Sequence, residues 1–197
     1  SILIGSKIQT KPNLLNSSSR RFNILFGLVA SVTLLSAGLR EETESLIYDH
    51  YGDSVSILFK KISVPKEIKA IAEKNARLRF MRNQIYVWEV TKHDSLIGLA
   101  YLDNVKGKSQ PITYVVFYNV KGNVTNSHII KYREPIGGEV ANRNWLNQFL
   151  GKTTYSEYQI GKQIDGISGA TISVNAVTKG IHRSSFVIQY LLDLKYE

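Results

Sequence analysis

Between residues 85 and 131 the chain reads as four runs rich in Val, Ile, Tyr and Thr (85–90, 96–103, 113–120 and 124–131), divided by short polar stretches. Runs joined this closely have room for hairpins, not for the long crossover that parallel strands need. His93-Asp94-Ser95 and Lys121-Gly122-Asn123 supply the residue types that tight hairpin turns select. The expectation is an antiparallel meander. A Gly-bearing loop follows (Glu134-Pro135-Ile136-Gly137-Gly138), then a short helix near 142–150 and a further loop. The chain closes on a long helix from about Ser173, with Val174, Val177, Ile181, Ile188 and Leu192 as its buried stripe and Ser184 and Ser185 interrupting it. Ahead of the meander, Pro65 opens a short helix through Asn75, with Ile68, Ile71 and Ala72 on one face. Helices segregated against an antiparallel sheet make an α+β domain.

Residues 22–39 (FNILFGLVASVTLLSAGL) carry no charge and are bounded by Arg20-Arg21 and Arg40-Glu41-Glu42. Eighteen helical residues rise about 27 Å, enough to cross a bilayer core. Cations before the run and acids after it place the N-terminus in the cytoplasm by the positive-inside rule. A cleavable signal peptide has the same charge order, whereas a buried core helix would show a polar stripe that this run lacks. The expected organisation is a cytoplasmic tail over 1–21, a transmembrane anchor over 22–39, a helical connecting region over 40–84 and the main domain over 85–197.

The net charge is +9, but Lys7, Lys11, Arg20 and Arg21 all precede the uncharged run, leaving +5 from residue 40 onward. The basicity is partly a property of the tail, and no nucleic-acid-reading module accompanies it. Eight cations between Lys60 and Arg82 face only Glu67 and Glu73. Such a patch suits an acidic redox partner or anionic headgroups, against the default of a solvated helix face. Cysteine is absent, which excludes disulfides, thiolate-held iron–sulfur clusters and cysteine zinc sites. His50, His93, His128 and His182 show no metal-ligand spacing, so no metal site is assigned. Redox chemistry in such a chain needs an organic cofactor.

The informative segment is Asp165-Gly166-Ile167-Ser168-Gly169-Ala170-Thr171. Gly169 and Ala170 present almost no side chain, so a bulky group can approach the backbone. Thr171 lies at the mouth of an amphipathic helix, where the dipole and free N–H groups favour a phosphate. On local physics alone an ordinary N-cap competes with this reading and is the commoner structure.

The pattern Asp-x-x-Ser-Gly-Ala-Thr resembles the flavinylation motif of the FMN-binding domain family, whose best-known members are the flavin-carrying subunits of the Na+-translocating NADH:quinone reductase and of the Rnf complex. The resemblance continues through Gly107-Lys108-Ser109-Gln110-Pro111-Ile112-Thr113, Tyr132-Arg133-Glu134, Gly137-Gly138-Glu139, Trp145-Leu146-Asn147-Gln148-Phe149 and Gly151-Lys152, so that it spans about residues 96–181. The stretch Glu134-Pro135-Ile136-Gly137-Gly138-Glu139 departs from the Gly-Leu-Gly type loop of the respiratory subunits and is closer to the broader set of FMN-binding proteins.

The resemblance implies FMN bonded through phosphate to Thr171, placed there by a flavin transferase, with Asp165 as the motif's acid. It also implies a single-pass protein of the bacterial cytoplasmic membrane, its C-terminal domain on the periplasmic side, relaying electrons among the subunits of a membrane complex. Ser168, Gly169 and Ala170 would border the phosphate, and Gly137, Gly138 and Trp145, with Tyr132 behind them, are candidates for the flavin's bed, core packing being the alternative for Trp145. No catalytic residue is assigned. Two other readings stay open: a direct flavin-dependent reductase, and a structural subunit whose motif is unused.

Overall fold

The computed structural model describes residues 38–196. The anchor expected over 22–39 and the tail before it lie outside the described residues, save for residues 38 and 39. Among the described residues no helix is long and apolar enough to cross a membrane. A compact unit spans Glu41–Glu197.

Five strands form one antiparallel sheet in sequence order: β1 (Ser56–Ser63), β2 (Gln84–Lys92), β3 (Ser95–Lys106), β4 (Pro111–Asn119) and β5 (Val124–Lys131). The helices are α1 (38–51), α2 (Lys66–Ala76), α3 (Arg143–Leu146) and α4 (Thr171–Tyr196). The expected α+β class and meander are present. The segment expected to be helical (40–84) carries a strand, however, since β1 pairs along its whole length with β2. Its sequence, SILFKKIS, holds two lysines and alternates, as suits an edge strand exposed along one side.

The hairpins form for the reasons their residues suggest. His93 and Asp94 both take the left-handed conformation (φ 48° and 61°) that a two-residue turn between twisted strands requires. In the β4–β5 turn Gly122 takes φ 75°, and the Asn119 side chain accepts from the N–H groups of Lys121 (2.9 Å) and Asn123 (3.1 Å).

Both faces of the sheet are covered, which is why β4 is buried almost end to end instead of alternating. On one face Ile85, Val87, Leu99, Tyr101, Ile112, Tyr114, Val116 and Tyr118 share a core with Val174, Val177, Ile181, Ile188 and Leu192 of α4. The expected stripe of α4 is therefore the buried one. Ser184 in its midst is bonded to the Tyr118 hydroxyl (2.6 Å) and donates to the Ile181 carbonyl (2.8 Å), so the polar interruption is satisfied. Gly180 lets α4 close on the sheet, since a Cβ there would lie 2.6 Å from Val105. Tyr114 donates to the Gly180 carbonyl at 3.0 Å, and burial pushes its phenol well up, holding it neutral.

The opposite face is closed by α1: Trp88 is fully buried and donates from its indole to Glu44 (2.9 Å), and the Tyr51 hydroxyl donates to the Tyr118 carbonyl (3.3 Å). Burial raises the Tyr51 phenol to about 12. Helix α2 packs on α4 through Ala72 and Ala76. Ile71, expected on the inner face with Ile68 and Ala72, points outward and is half exposed, because the inner line runs at i, i+4, i+8 through 68, 72 and 76.

Candidate functional site

Helix α4 begins at Thr171, two residues before the sequence places it. The Ala170 carbonyl accepts the first helical bond, from the Val174 N–H at 2.9 Å, so Ala170 occupies the capping position and Thr171 the first helical one. Alanine has no side-chain acceptor. The N–H groups of Thr171, Ile172 and Ser173 thus stand at the positive end of a 26-residue helix, with no side chain among the described residues capping them. The ordinary N-cap reading of Thr171 fails on this geometry, since a capping hydroxyl must precede the helix it caps. Thr171 itself is exposed.

The turn before it is shaped by Gly169, whose φ of 78° suits glycine and around whose Cα an added Cβ would meet nothing within 4 Å. The Ala170 N–H donates to the Ile167 carbonyl at 3.1 Å, closing the turn. Ser168 is exposed beside it. Asp165 is held by its backbone at both ends: its N–H donates to Gln148 Oε1 (2.8 Å) and its carbonyl accepts from the Trp145 indole (2.9 Å). Its carboxylate is left facing outward.

Gly137 is brought against the motif. Its φ is 89°, and a Cβ there would lie 2.7 Å from the Tyr132 hydroxyl and 3.0 Å from the Ala170 Cβ. Tyr132, ranked last from sequence, ties the parts together by donating to the Ile136 carbonyl (2.6 Å) and bonding to the buried Ser173 hydroxyl (2.9 Å). Gly138 is exposed with room around it. Ile136 and Ile172 present exposed apolar side chains next to Gly137 and Thr171 in the chain. Trp145 is 6% exposed and packs edge-on against Phe149, so its indole braces the Asp165 loop and offers no open face. The structure therefore gathers Asp165, Gly169, Ala170, Thr171, Gly137 and Tyr132, and places Trp145 beneath them.

Sequence reasoning did not single out Gln148 or Ser173 for these roles. Ser173 had a readable signal, as it stands two positions after Thr171 in the helix and so faces the interior. Two other segments that carry the resemblance are also bonded together: Glu134 accepts from the N–H groups of Ser109 (2.6 Å) and Gln110 (2.9 Å), and Arg133 donates to the Pro111 carbonyl (3.1 Å). These backbone bonds hold the Glu134 carboxyl below its ordinary value.

An antiparallel sheet backed by a helix that starts uncapped, on a turn of small residues, defines a domain able to seat a phosphorylated ligand at its surface. Residues 107–184 match the family model of the FMN-binding domain. The structure is similar to the crystal structure of Shewanella oneidensis NqrC, with a TM-score of 0.54 at 17% identity over 76% of this chain and 88% of that one. No curated protein matches the sequence.

Proposed function

We propose that Thr171 carries FMN through a phosphoester and that the domain relays electrons within a membrane redox complex, on the extracytoplasmic side of the anchor expected over 22–39. The observation that carries this reading is the position of Thr171: first in its helix, exposed, with Ala170 leaving the first-turn N–H groups uncapped. A hydroxyl capping its own helix would be engaged, whereas this one faces outward where an attached phosphate can accept from those N–H groups. Gly169 and Gly138 leave the backbone approachable on either side, and the exposed Ile136 and Ile172 supply apolar surface for a flat ring. Bound there, the isoalloxazine supplies one- and two-electron transfer. The protein's part is to hold the group, keep it from being lost outside the cytoplasm, and leave one edge open to partners. Asp165, its carboxylate outward at the head of the turn, is placed to take part in recognition by the flavin transferase.

The test is intact mass and in-gel ultraviolet fluorescence of the chain isolated from its own host. The wild type is expected to exceed the polypeptide mass by ~438 Da, the mass of an esterified FMN, and Thr171→Ala to lack both the increment and the fluorescence while melting like the wild type. Equal fluorescence in the denatured variant would overturn the assignment. A bare Thr171 in the native chain would favour a scaffolding role.

A further inference from the structure

We infer that the surface made by α2 and the segment after it is a docking face for an anionic lipid bilayer, independent of whether Thr171 carries a flavin. Lys66, Lys74, Arg77, Arg79 and Arg82 are all exposed. None of them takes part in an ion pair among the described residues. Of the two acids in the region, Glu73 is engaged by the Phe80 N–H at 2.8 Å, leaving Glu67 as the one exposed counter-charge on α2.

The segment after α2 is laid alongside the helix by two bonds, that from Phe80 to Glu73 and that from Lys69 Nζ to Asn83 Oδ1 (2.9 Å). Leu78 and Phe80 turn inward onto the core, so Arg77, Arg79 and Met81 turn out. The base is fixed from beneath: Arg183 donates to the Arg79 carbonyl (2.5 Å), with its guanidinium 4.1 Å from the centre of the Phe80 ring. The cations are thus displayed from a braced surface.

Two large apolar side chains stand among them, Ile71 at 48% exposure and Met81 at 46%. They are single tips separated by charges, unlike the contiguous apolar centre around which a protein interface is built. Long cations with isolated apolar tips match a plane of anionic headgroups lying over an apolar layer. An acidic protein would supply the charge complement but no reason for the exposed apolar pair.

The chain has no cysteine, so Met81→Cys accepts a single environment-sensitive fluorophore. The labelled full chain is reconstituted into vesicles of phosphatidylcholine alone, and into vesicles with about one-third phosphatidylglycerol. A blue shift is expected only with phosphatidylglycerol, reversed by high salt and absent from the Lys74→Glu, Arg77→Glu, Arg82→Glu triple variant. Identical emission in the two vesicle types would overturn the inference, as would a shift that survives the triple substitution. A shift provoked in neutral vesicles by polyglutamate, with none from phosphatidylglycerol, would assign the surface to an acidic protein instead.

Discussion

Arg183 is fully buried halfway along α4 and donates to Asp103 Oδ2 on β3 at 2.8 Å, while the Tyr101 hydroxyl donates to the same oxygen at 2.9 Å. Burial holds the Asp103 carboxyl above its ordinary value, and the guanidinium beside it offsets only part of that shift. A buried pair of this kind does little for net stability while intact, yet breaking it leaves one charge uncompensated. Arg183→Met is therefore expected to destabilise the domain by about 3–5 kcal/mol. The pH dependence has a definite sign. With the cation gone, the folded-state value of Asp103 rises further above its unfolded value, so the folded state binds the proton more tightly. The variant keeps most stability below the unfolded carboxylate value and loses it as pH rises through the folded one. Urea unfolding at acidic and alkaline pH checks this: the gap between variant and wild type should widen towards alkaline pH, and a pH-independent gap would show that Asp103 is not the source.

At the scale of elements, what joins the candidate site is a contact between two loops that lie more than thirty positions apart in the chain. Gly137 meets Ala170 because it has no side chain and can hold φ 89°. Gly137→Ala combines backbone strain with a clash against Tyr132 and Ala170, so a loss of about 1–3 kcal/mol is expected. The 134–138 loop should lift from the motif, and flavin fluorescence of the chain from its own host should fall more than its melting temperature alone explains. Retention of full fluorescence would show that the loop is dispensable to the site. This contact also marks where sequence reading stops. The strands were readable because β-branched and aromatic runs end at turns with Asp, Asn and Gly, as at His93-Asp94 and Gly122. The motif was readable as residues but not as geometry: a helix start at about Ser173 leaves Thr171 outside the helix, whereas Thr171 is its first residue. Local chemistry does not name Gly137's neighbour, and it leaves Trp145 open between a flavin's bed and core packing, since both depend on chain brought in from far along the sequence.

For the molecule as a whole, the decisive feature is that both faces of the sheet are closed by chain preceding residue 85 as well as by chain following it. The sequence could not show this, because β1 is a short lysine-bearing edge strand and α1 adjoins the uncharged run, so neither announces a part in the core. Helix α1 bonds to the buried Trp88 through Glu44 and packs His50 and Tyr51 against the buried Phe117, and β1 pairs with β2 through eight register positions. Placing the domain's start at residue 85 would strip β2 of its partner and expose one whole face. Each large apolar side chain so uncovered costs about 1.5–3 kcal/mol, and a handful of them exceeds the total stability of an ordinary domain. A chain beginning at residue 41 is therefore expected to be soluble and to melt in one cooperative transition. One beginning at residue 85 should aggregate or remain unfolded, although it retains the whole of the 107–184 family match. Circular dichroism melting of the two purified chains decides the matter, and a cooperative transition in the shorter one would mean that α1 and β1 are accessories to a core complete without them.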